Sequence, residues 1–366
     1  MIKVLQVFSC MTRGGLETFV MNVYRAVDRS IIQFDFLIAN EGGDYDEEAK
    51  ALGARIYYTG SRRKNGLIKY CKILDGFFKE HASEYVAVHY HESTLTSLEP
   101  LYYAKKYGIK NRLLHSHSSS VSGSKIHYIT HYINKLFVKS LATQYLGCSK
   151  KALQWFYKGT GVYSKSVMIA NGINVNQFSF DAKKKEQVRI NLKIENDELV
   201  IGHIGRFIWL KNHKYIVEFF QVICELHPKS KLVLIGVGPL LDEIKQMVVD
   251  IGLGNHVLFL GLRSDIPDLL QAIDVVVMPS VYEGMPVSLI EAQASGTLVY
   301  GSDTISKDTA ITDRMHFLSI ENEPRIWAET ILSNDSFEKT DTRDAIKKAG
   351  FDISAIASDL VNRYKR

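Results

Sequence analysis

The 366-residue sequence holds only four cysteines and seven prolines. Cys10, Cys71, Cys148 and Cys224 lie far apart and form no CxxC pair, which speaks against a disulfide framework and a thiolate zinc site. They read as small buried hydrophobes in a reducing compartment. A bilayer-spanning helix needs about 18 successive apolar residues, and no run of that length occurs. The start, MIKVLQVFSCMTRGGLE, lacks the layout of a secretory signal, so the cytoplasm is the expectation. There is no GxGxxG and no GxxxxGK[ST], and hence no sign of a dinucleotide enzyme or a P-loop NTPase. Short-period repeats and low-complexity tracts are missing too.

What is present is an ordinary globular composition, 46% hydrophobic and 23% charged, on a chain too long for one core. Two domains of about 150–200 residues are expected. Net charge is only +5, but it is unevenly shared. Residues 1–180 carry 23 Lys and Arg against 13 Asp and Glu, whereas residues 181–366 carry 22 against 27. A basic half suggests an anionic partner. No nucleic-acid motif accompanies it, so nucleic acid is not expected. The anionic cytoplasmic leaflet, or a phosphate-bearing lipid in it, fits; a plain solvated surface is the alternative.

Short apolar runs alternate with amphipathic segments. Strand candidates in the first half are 3–9, 34–40, 55–60, 85–91, 112–117, 144–149 and 166–173, with helical patterns at 15–28, 66–81, 94–107 and 127–142. Residues 174–198 are polar, charge-rich and weakly periodic, and read as an interdomain connection. A second series follows at 199–205, 231–238, 256–261, 274–280, 297–303 and 316–320. Such alternation is the signature of α/β architecture: two doubly wound Rossmann-like domains facing each other across a cleft. The boundaries expected are 1–176, a linker at 177–196, and 197–351. In open sheets of this kind ligands sit outside the carboxyl ends of the strands.

Three motifs fall at such ends. MTRGGLETF (11–19) places a Gly-Gly turn at a helix start, where free N–H groups form an anion site. GRFIWLKNH (205–213) places Arg206 and Lys211 around a turn, a fork and a point charge suited to a diphosphate. EGMPVSLIEAQASG (283–296) carries two carboxylates, Glu283 on a loop and Glu291 on the helix behind it. Pro286 suits the first turn of that helix, and Gly296 suits its C′ position.

These stretches, with HVLFLG (256–261), CSKKALQWF (148–156) and VMIANGINVNQF (167–178), resemble retaining glycosyltransferases of the large GT4 family, which has the GT-B fold. EGMPVSLIEAQASG matches the family's E-x7-E signature, and the resemblance runs along essentially the whole chain. It implies transfer of a sugar from a nucleoside diphosphate donor, most commonly UDP-linked, to a glycan acceptor, without a metal or resident cofactor. In the family, the residue matching Glu291 holds the ribose hydroxyls, since a carboxylate accepts two such bonds. Glu283 would lie near the transferred sugar, and the backbone at Gly284, Met285, Pro286 and Val287 would face diphosphate and sugar. Arg206 and Lys211 would neutralise the departing diphosphate. Gly15, from the opposite domain, would approach the same phosphates, and His117 would aim at the sugar and the acceptor. The terminal pattern 352–366 would cross back onto the first domain. After Ser302-Asp303 the family carries a Glu where this chain has Lys307-Asp308, which puts the local contacts there in question.

Other chemistry fits these residues less well. Glu283 and Glu291 as a glycosidase pair lack the surrounding context, and a diphosphate clamp stands there instead. Asp44-Tyr45-Asp46 has the DxD form of a metal site, yet it precedes a helical pattern where Asp caps routinely. His89, His91, His115 and His117 have i,i+2 spacing that puts each pair on one sheet face, with no Cys or well-placed acid to complete a zinc set. A non-catalytic nucleotide-sugar-binding scaffold is the competing class of function. The family's capsule and exopolysaccharide enzymes act on lipid-diphosphate carriers, so peripheral membrane attachment is expected through Arg62–Lys64, Lys105-Lys106, Lys150-Lys151, Tyr102, Tyr103, Trp155 and Phe156.

Overall fold

The computed structural model describes residues 1–118 and 124–366; the last two residues of LLHSHSSS (113–120), the segment that carries His115 and His117, lie outside them. The chain divides into two units, Met1–Gly172 with Asp352–Arg366, and Ile173–Phe351.

In the first unit the strands are β1 (Ile2–Phe8), β2 (Ile32–Ile38), β3 (Ile56–Tyr58), β4 (Ala87–Glu92), β5 (Asn111–Ser116), β6 (Gln144–Gly147) and β7 (Val167–Met168). They pair in the order β3-β2-β1-β4-β5-β6-β7, every pair parallel. Their runs are short and β-branched or aromatic because both faces are covered. One face packs Phe19, Tyr24, Phe34 and Phe36 with Ile353, Ile356, Leu360 and Tyr364 of the helix Ile353–Tyr364. The other packs Leu74, Phe78, Leu101, Val138 and Phe156. The terminal helix therefore belongs to this unit's core. Asp352 starts it by accepting from the Ser354 N–H at 3.1 Å.

The second unit has β8 (Leu199–Ile204), β9 (Ser230–Ile235), β10 (Val257–Gly261), β11 (Val275–Met278), β12 (Leu298–Ser302) and β13 (Met315–Leu318), in the order β10-β9-β8-β11-β12-β13. This sheet is also parallel throughout. The fold is thus α/β with two doubly wound, Rossmann-like units.

The connection expected at 177–196 is corrected. It holds a helix, Ala182–Leu192, inside the second unit. Its sequence, AKKKEQVRINL, has no apolar face. It is fixed by charge instead: buried Arg189 donates to Asp274 Oδ2 at 2.6 Å and to the Glu195 carbonyl at 2.9 Å. Asp181 caps it through the N–H groups of Lys183 and Lys184. The boundary accordingly falls at residue 172 rather than 176.

The helical pattern at 127–142 splits into Lys125–Lys135 and Val138–Leu141. The cysteines are free but only partly buried; burial pushes the Cys148 and Cys224 thiols up to about 11, which makes them poor nucleophiles. Among the described residues no helix is long and apolar enough to cross a membrane.

Candidate functional site

Strand order reverses between β8 and β11 in the second unit, and the loops leaving those two strands build the site. The β8 loop passes very close to the β9 loop: a Cβ on Gly236 would collide with the Gly205 carbonyl, and Gly236 has φ +141°, so only glycine fits. The Val281 N–H donates to the Leu210 carbonyl at 2.9 Å, tying the β8 loop to the β11 loop. That tie brings Lys211 Nζ to 2.8 Å from Glu283 Oε1, with both side chains mostly buried. The Glu283 backbone is in turn bridged to Ile305. Arg206, on the same β8 loop, is exposed, and no acid among the described residues pairs with it. Two cations on one loop against a single carboxylate leave a surplus positive charge for an anion.

The helix Val287–Ala294 starts directly after this loop. Pro286 is its N-cap residue rather than a first-turn residue, with extended backbone at ψ 120°. No side chain caps this start; the Leu289 N–H closes on the Pro286 carbonyl at 3.1 Å, and the N–H groups of Val287 and Ser288 stay available to an anion. A Cβ on Gly284 would meet nothing within 4 Å; space is left there. Glu291 lies just over one turn into the helix. No donor among the described residues reaches its carboxyl, and burial pushes it up to about 7. A partly buried carboxyl that lacks a partner has acceptor capacity to spare. Gly296 closes the helix at φ +72° as C′.

Two histidines beneath Lys211 were not singled out from sequence. His203 Nδ1 bonds the Val277 carbonyl at 2.8 Å. His213 stacks on Phe207 at 4.0 Å. Burial holds His203 well below its ordinary value, and His213 down to about 4, so both rings are neutral. They give Lys211 an apolar, uncharged floor. Both lie inside quoted stretches, but buried polar packing has no sequence signal.

In the first unit the order reverses between β1 and β4. Gly15 opens the helix Gly15–Ala26, and a Cβ there would meet nothing within 4 Å. His117 follows β5 and bonds His91 across the β4–β5 pair, Nε2 to Nδ1 at 2.9 Å. Nearby, a cavity of about 470 Å³ is lined by Ser9, Thr59, Arg62, Tyr90, Glu92 and Ile126, among others. Glu92 accepts from the Tyr90 hydroxyl at 2.7 Å, and burial pushes its carboxyl up to about 7.

The DxD residues point to different partners. Asp44 accepts from the Arg13 N–H at 3.1 Å, while Asp46 accepts from the Gly43 N–H at 3.1 Å and from Tyr58. They serve as turn and first-turn acceptors, in line with the capping expectation. Lys307, at the departure from the family pattern, lies over the Phe317 ring at 3.7 Å. The membrane-facing residues expected from sequence are partly corrected: Phe156 is buried, Trp155 stacks on His131 at 3.9 Å, and Lys106 pairs with Asp75 at 2.5 Å. Adjacent positions in a helix point in different directions, so an aromatic-rich run need not be a surface.

Residues 184–350 match the family described as glycosyl transferases group 1. The glycosyltransferase EpsF of Bacillus subtilis is 32% identical over 99% of this chain and 96% of its own length. The capsular polysaccharide biosynthesis glycosyltransferase CapH of Staphylococcus aureus is 24% identical over 90% of each chain. Among solved structures, Anabaena HepE in complex with UDP and glucose superposes with a TM-score of 0.79 at 17% identity over both full lengths. The fold that positions Lys211, Glu283 and Glu291, together with 32% identity to EpsF along 99% of this chain, leads to one conclusion: the chain belongs to the group 1 glycosyl transferases and is a glycosyltransferase of GT-B fold.

Proposed function

We propose that the enzyme transfers a sugar, with retention of configuration, from a UDP-sugar to a glycan of capsule or exopolysaccharide assembly. The carrying observation is the Lys211–Glu283 pair at 2.8 Å beside an uncapped helix start and the unpartnered Glu291 carboxyl. Lys211 and Arg206 take the diphosphate, the one as a point charge and the other as a fork. Glu291 takes the ribose, Glu283 faces the sugar, and backbone from Gly284 to Val287 lines it. No metal or resident cofactor is required by this reading. The discriminating assay offers a panel of nucleotide sugars and scores UDP release; binding of UDP with no turnover of any donor favours the scaffold reading.

Glu291 also sets a pH dependence. Only the ionised carboxylate accepts two hydroxyl bonds, and its folded value is about 7. Donor KM should therefore fall as pH rises from 6 to 8, and Glu291→Ala should raise donor KM and flatten that profile. Wild-type donor KM in the variant contradicts the ribose assignment.

For the acceptor, a lipid-linked glycan at an anionic membrane is supported by an apolar surface on the first unit. On the helix Lys125–Lys135 and the turn after it, Ile126, Ile129, Ile133 and Leu136 are 70%, 57%, 52% and 78% exposed. Leu67 lies with Ile126 on the cavity wall. Nearby Lys125 and Lys139 add charge, and no Asp or Glu occurs between Glu99 and Asp181. An amphipathic helix with lysines at its edge lies in the headgroup region, and each cation adds about 1 kcal/mol on anionic lipid. The protein is proposed as cytoplasmic, peripheral at the inner leaflet. Vesicle sedimentation should rise with anionic lipid, fall with salt, and drop at least about tenfold for Ile129→Asp/Ile133→Asp, since burying one isoleucine is worth about 1.5–3 kcal/mol. Equal binding to neutral and anionic vesicles contradicts it.

A further inference from the structure

Four histidines of the first unit, His89, His91, His115 and His117, lie side by side on β4, β5 and the residue after β5. Burial holds His89, His91 and His115 well below their ordinary value and His117 down to about 3. All four rings are therefore neutral, and each has one N–H and one lone pair. Phe19 covers them, with ring centroids 5.3 Å from His115 and 5.5 Å from His117. In such a place every proton must be assigned from the hydrogen-bond network.

Two chains of bonds run through the cluster, and both start at the Gln6 amide. In one, Gln6 Nε2 reaches the Tyr364 hydroxyl at 3.4 Å, Tyr364 reaches His89 Nδ1 at 2.7 Å, and His89 Nε2 reaches His115 Nδ1 at 3.2 Å. In the other, Gln6 Oε1 meets His91 Nε2 at 2.8 Å, and His91 Nδ1 meets His117 Nε2 at 2.9 Å. The direction of both chains is set by the Gln6 amide, whose Nε2 faces the Tyr364 hydroxyl and whose Oε1 faces His91 Nε2. Protons then point from His89 to His115 and from Tyr364 to His89, and the Gln6 amide donates to Tyr364. With its NH₂ so used, Gln6 offers His91 its carbonyl. His91 donates from Nε2, so its Nδ1 is the acceptor for the His117 Nε2–H.

We propose that Gln6 and His91 are positioning residues for His117: they hold it as the Nε2–H tautomer and leave Nδ1 as a fixed acceptor for a substrate hydroxyl. His117 Nδ1 is the one nitrogen of the second chain that has no partner. The same assignment speaks against a metal, although ligand atoms of His89, His91 and His115 lie within 4.8 Å of one another. The lone pair of each of those three rings is already taken, by Tyr364, His117 and His89 respectively. The inference rests on His117 serving the transfer reaction, so its test has one arm that needs no turnover.

That arm is a long-range proton–nitrogen correlation spectrum of the ¹⁵N-labelled full chain. It should show His117 with a bare Nδ1 and a protonated Nε2, and mixed tautomers in Gln6→Leu. The kinetic arm uses the same variant: kcat/KM for transfer should fall about tenfold to a hundredfold, the range seen when the orienting partner of a functional histidine is lost. UDP affinity should not change, and Gln6→Glu, which keeps an acceptor for His91, should restore most of the activity. His91→Phe should reproduce the Gln6→Leu loss. Overturning results are a protonated His117 Nδ1 in the wild type, Gln6→Leu activity within twofold of wild type, or stoichiometric Zn²⁺ binding that His89→Ala abolishes. A wild-type protein without turnover sinks the transferase reading alone, since the tautomers are still read.

Discussion

Replacing Lys211 with alanine should lower turnover by more than about a hundredfold, and Arg206→Ala should do the same. Each change removes a charge-assisted contact to the leaving diphosphate, worth roughly 2–4 kcal/mol in a preorganised site. For Lys211 there is a second effect to separate. Its Nζ is 2.8 Å from Glu283 Oε1, so the alanine variant leaves Glu283 mostly buried without its partner, and such orphaned charges are costly. A double-mutant cycle with Glu283→Gln isolates the two. If Lys211 acts on the diphosphate, its loss costs as much in the Glu283→Gln background as in the wild type. If Lys211 only holds Glu283 in place, the second loss nearly vanishes. Arg206 has no acidic partner among the described residues, so its effect should appear wholly in transfer, with thermal stability unchanged.

Deleting residues 352–366 should unfold the first unit. Ile353, Ile356, Leu360 and Tyr364 are buried in its core, and each large apolar side chain contributes about 1.5–3 kcal/mol when buried. Their sum is comparable with the whole stability of a domain, about 5–15 kcal/mol. The deletion also strips Tyr364 from His89 and exposes Asn111, which donates to the Arg363 carbonyl at 2.8 Å. A milder variant, Tyr364→Phe, should keep the fold and disturb only the histidine network. Circular dichroism melts decide: a truncated chain with a wild-type transition and full activity contradicts the docking of this helix.

The strand pattern was legible throughout, because a parallel sheet covered on both faces writes itself as short continuous apolar runs. Two kinds of feature were not. The helix Ala182–Leu192 lacks an apolar face and is held by the buried Arg189–Asp274 pair, and a charge-rich segment of that kind reads as a linker. The apolar face around Ile129 and Leu136 was hidden for the opposite reason: helical spacing marks an apolar stripe but cannot say whether anything covers it. At the site, Arg206, Lys211, Glu283 and Glu291 stood out by their motifs, and the tie from Val281 to Leu210 explains how two distant loops bring Lys211 to Glu283. His203 and His213 beneath them, Gln6, and the bond from His91 to His117 have no local sequence signal, because the partners come from other strands. Register, rather than local spacing, puts Gln6 beside His89 and His91 beside His115.

The claim that this constellation performs retaining sugar transfer is tested most directly by proton NMR of the reaction as it runs. The full chain is mixed with an α-linked UDP-sugar panel and a glycan acceptor, and the anomeric signal of the newly formed glycosidic bond is recorded. The account predicts UDP release with an α-configured product, lost in Lys211→Ala. A β-configured first product, or UDP binding with no sugar released from any donor, contradicts it.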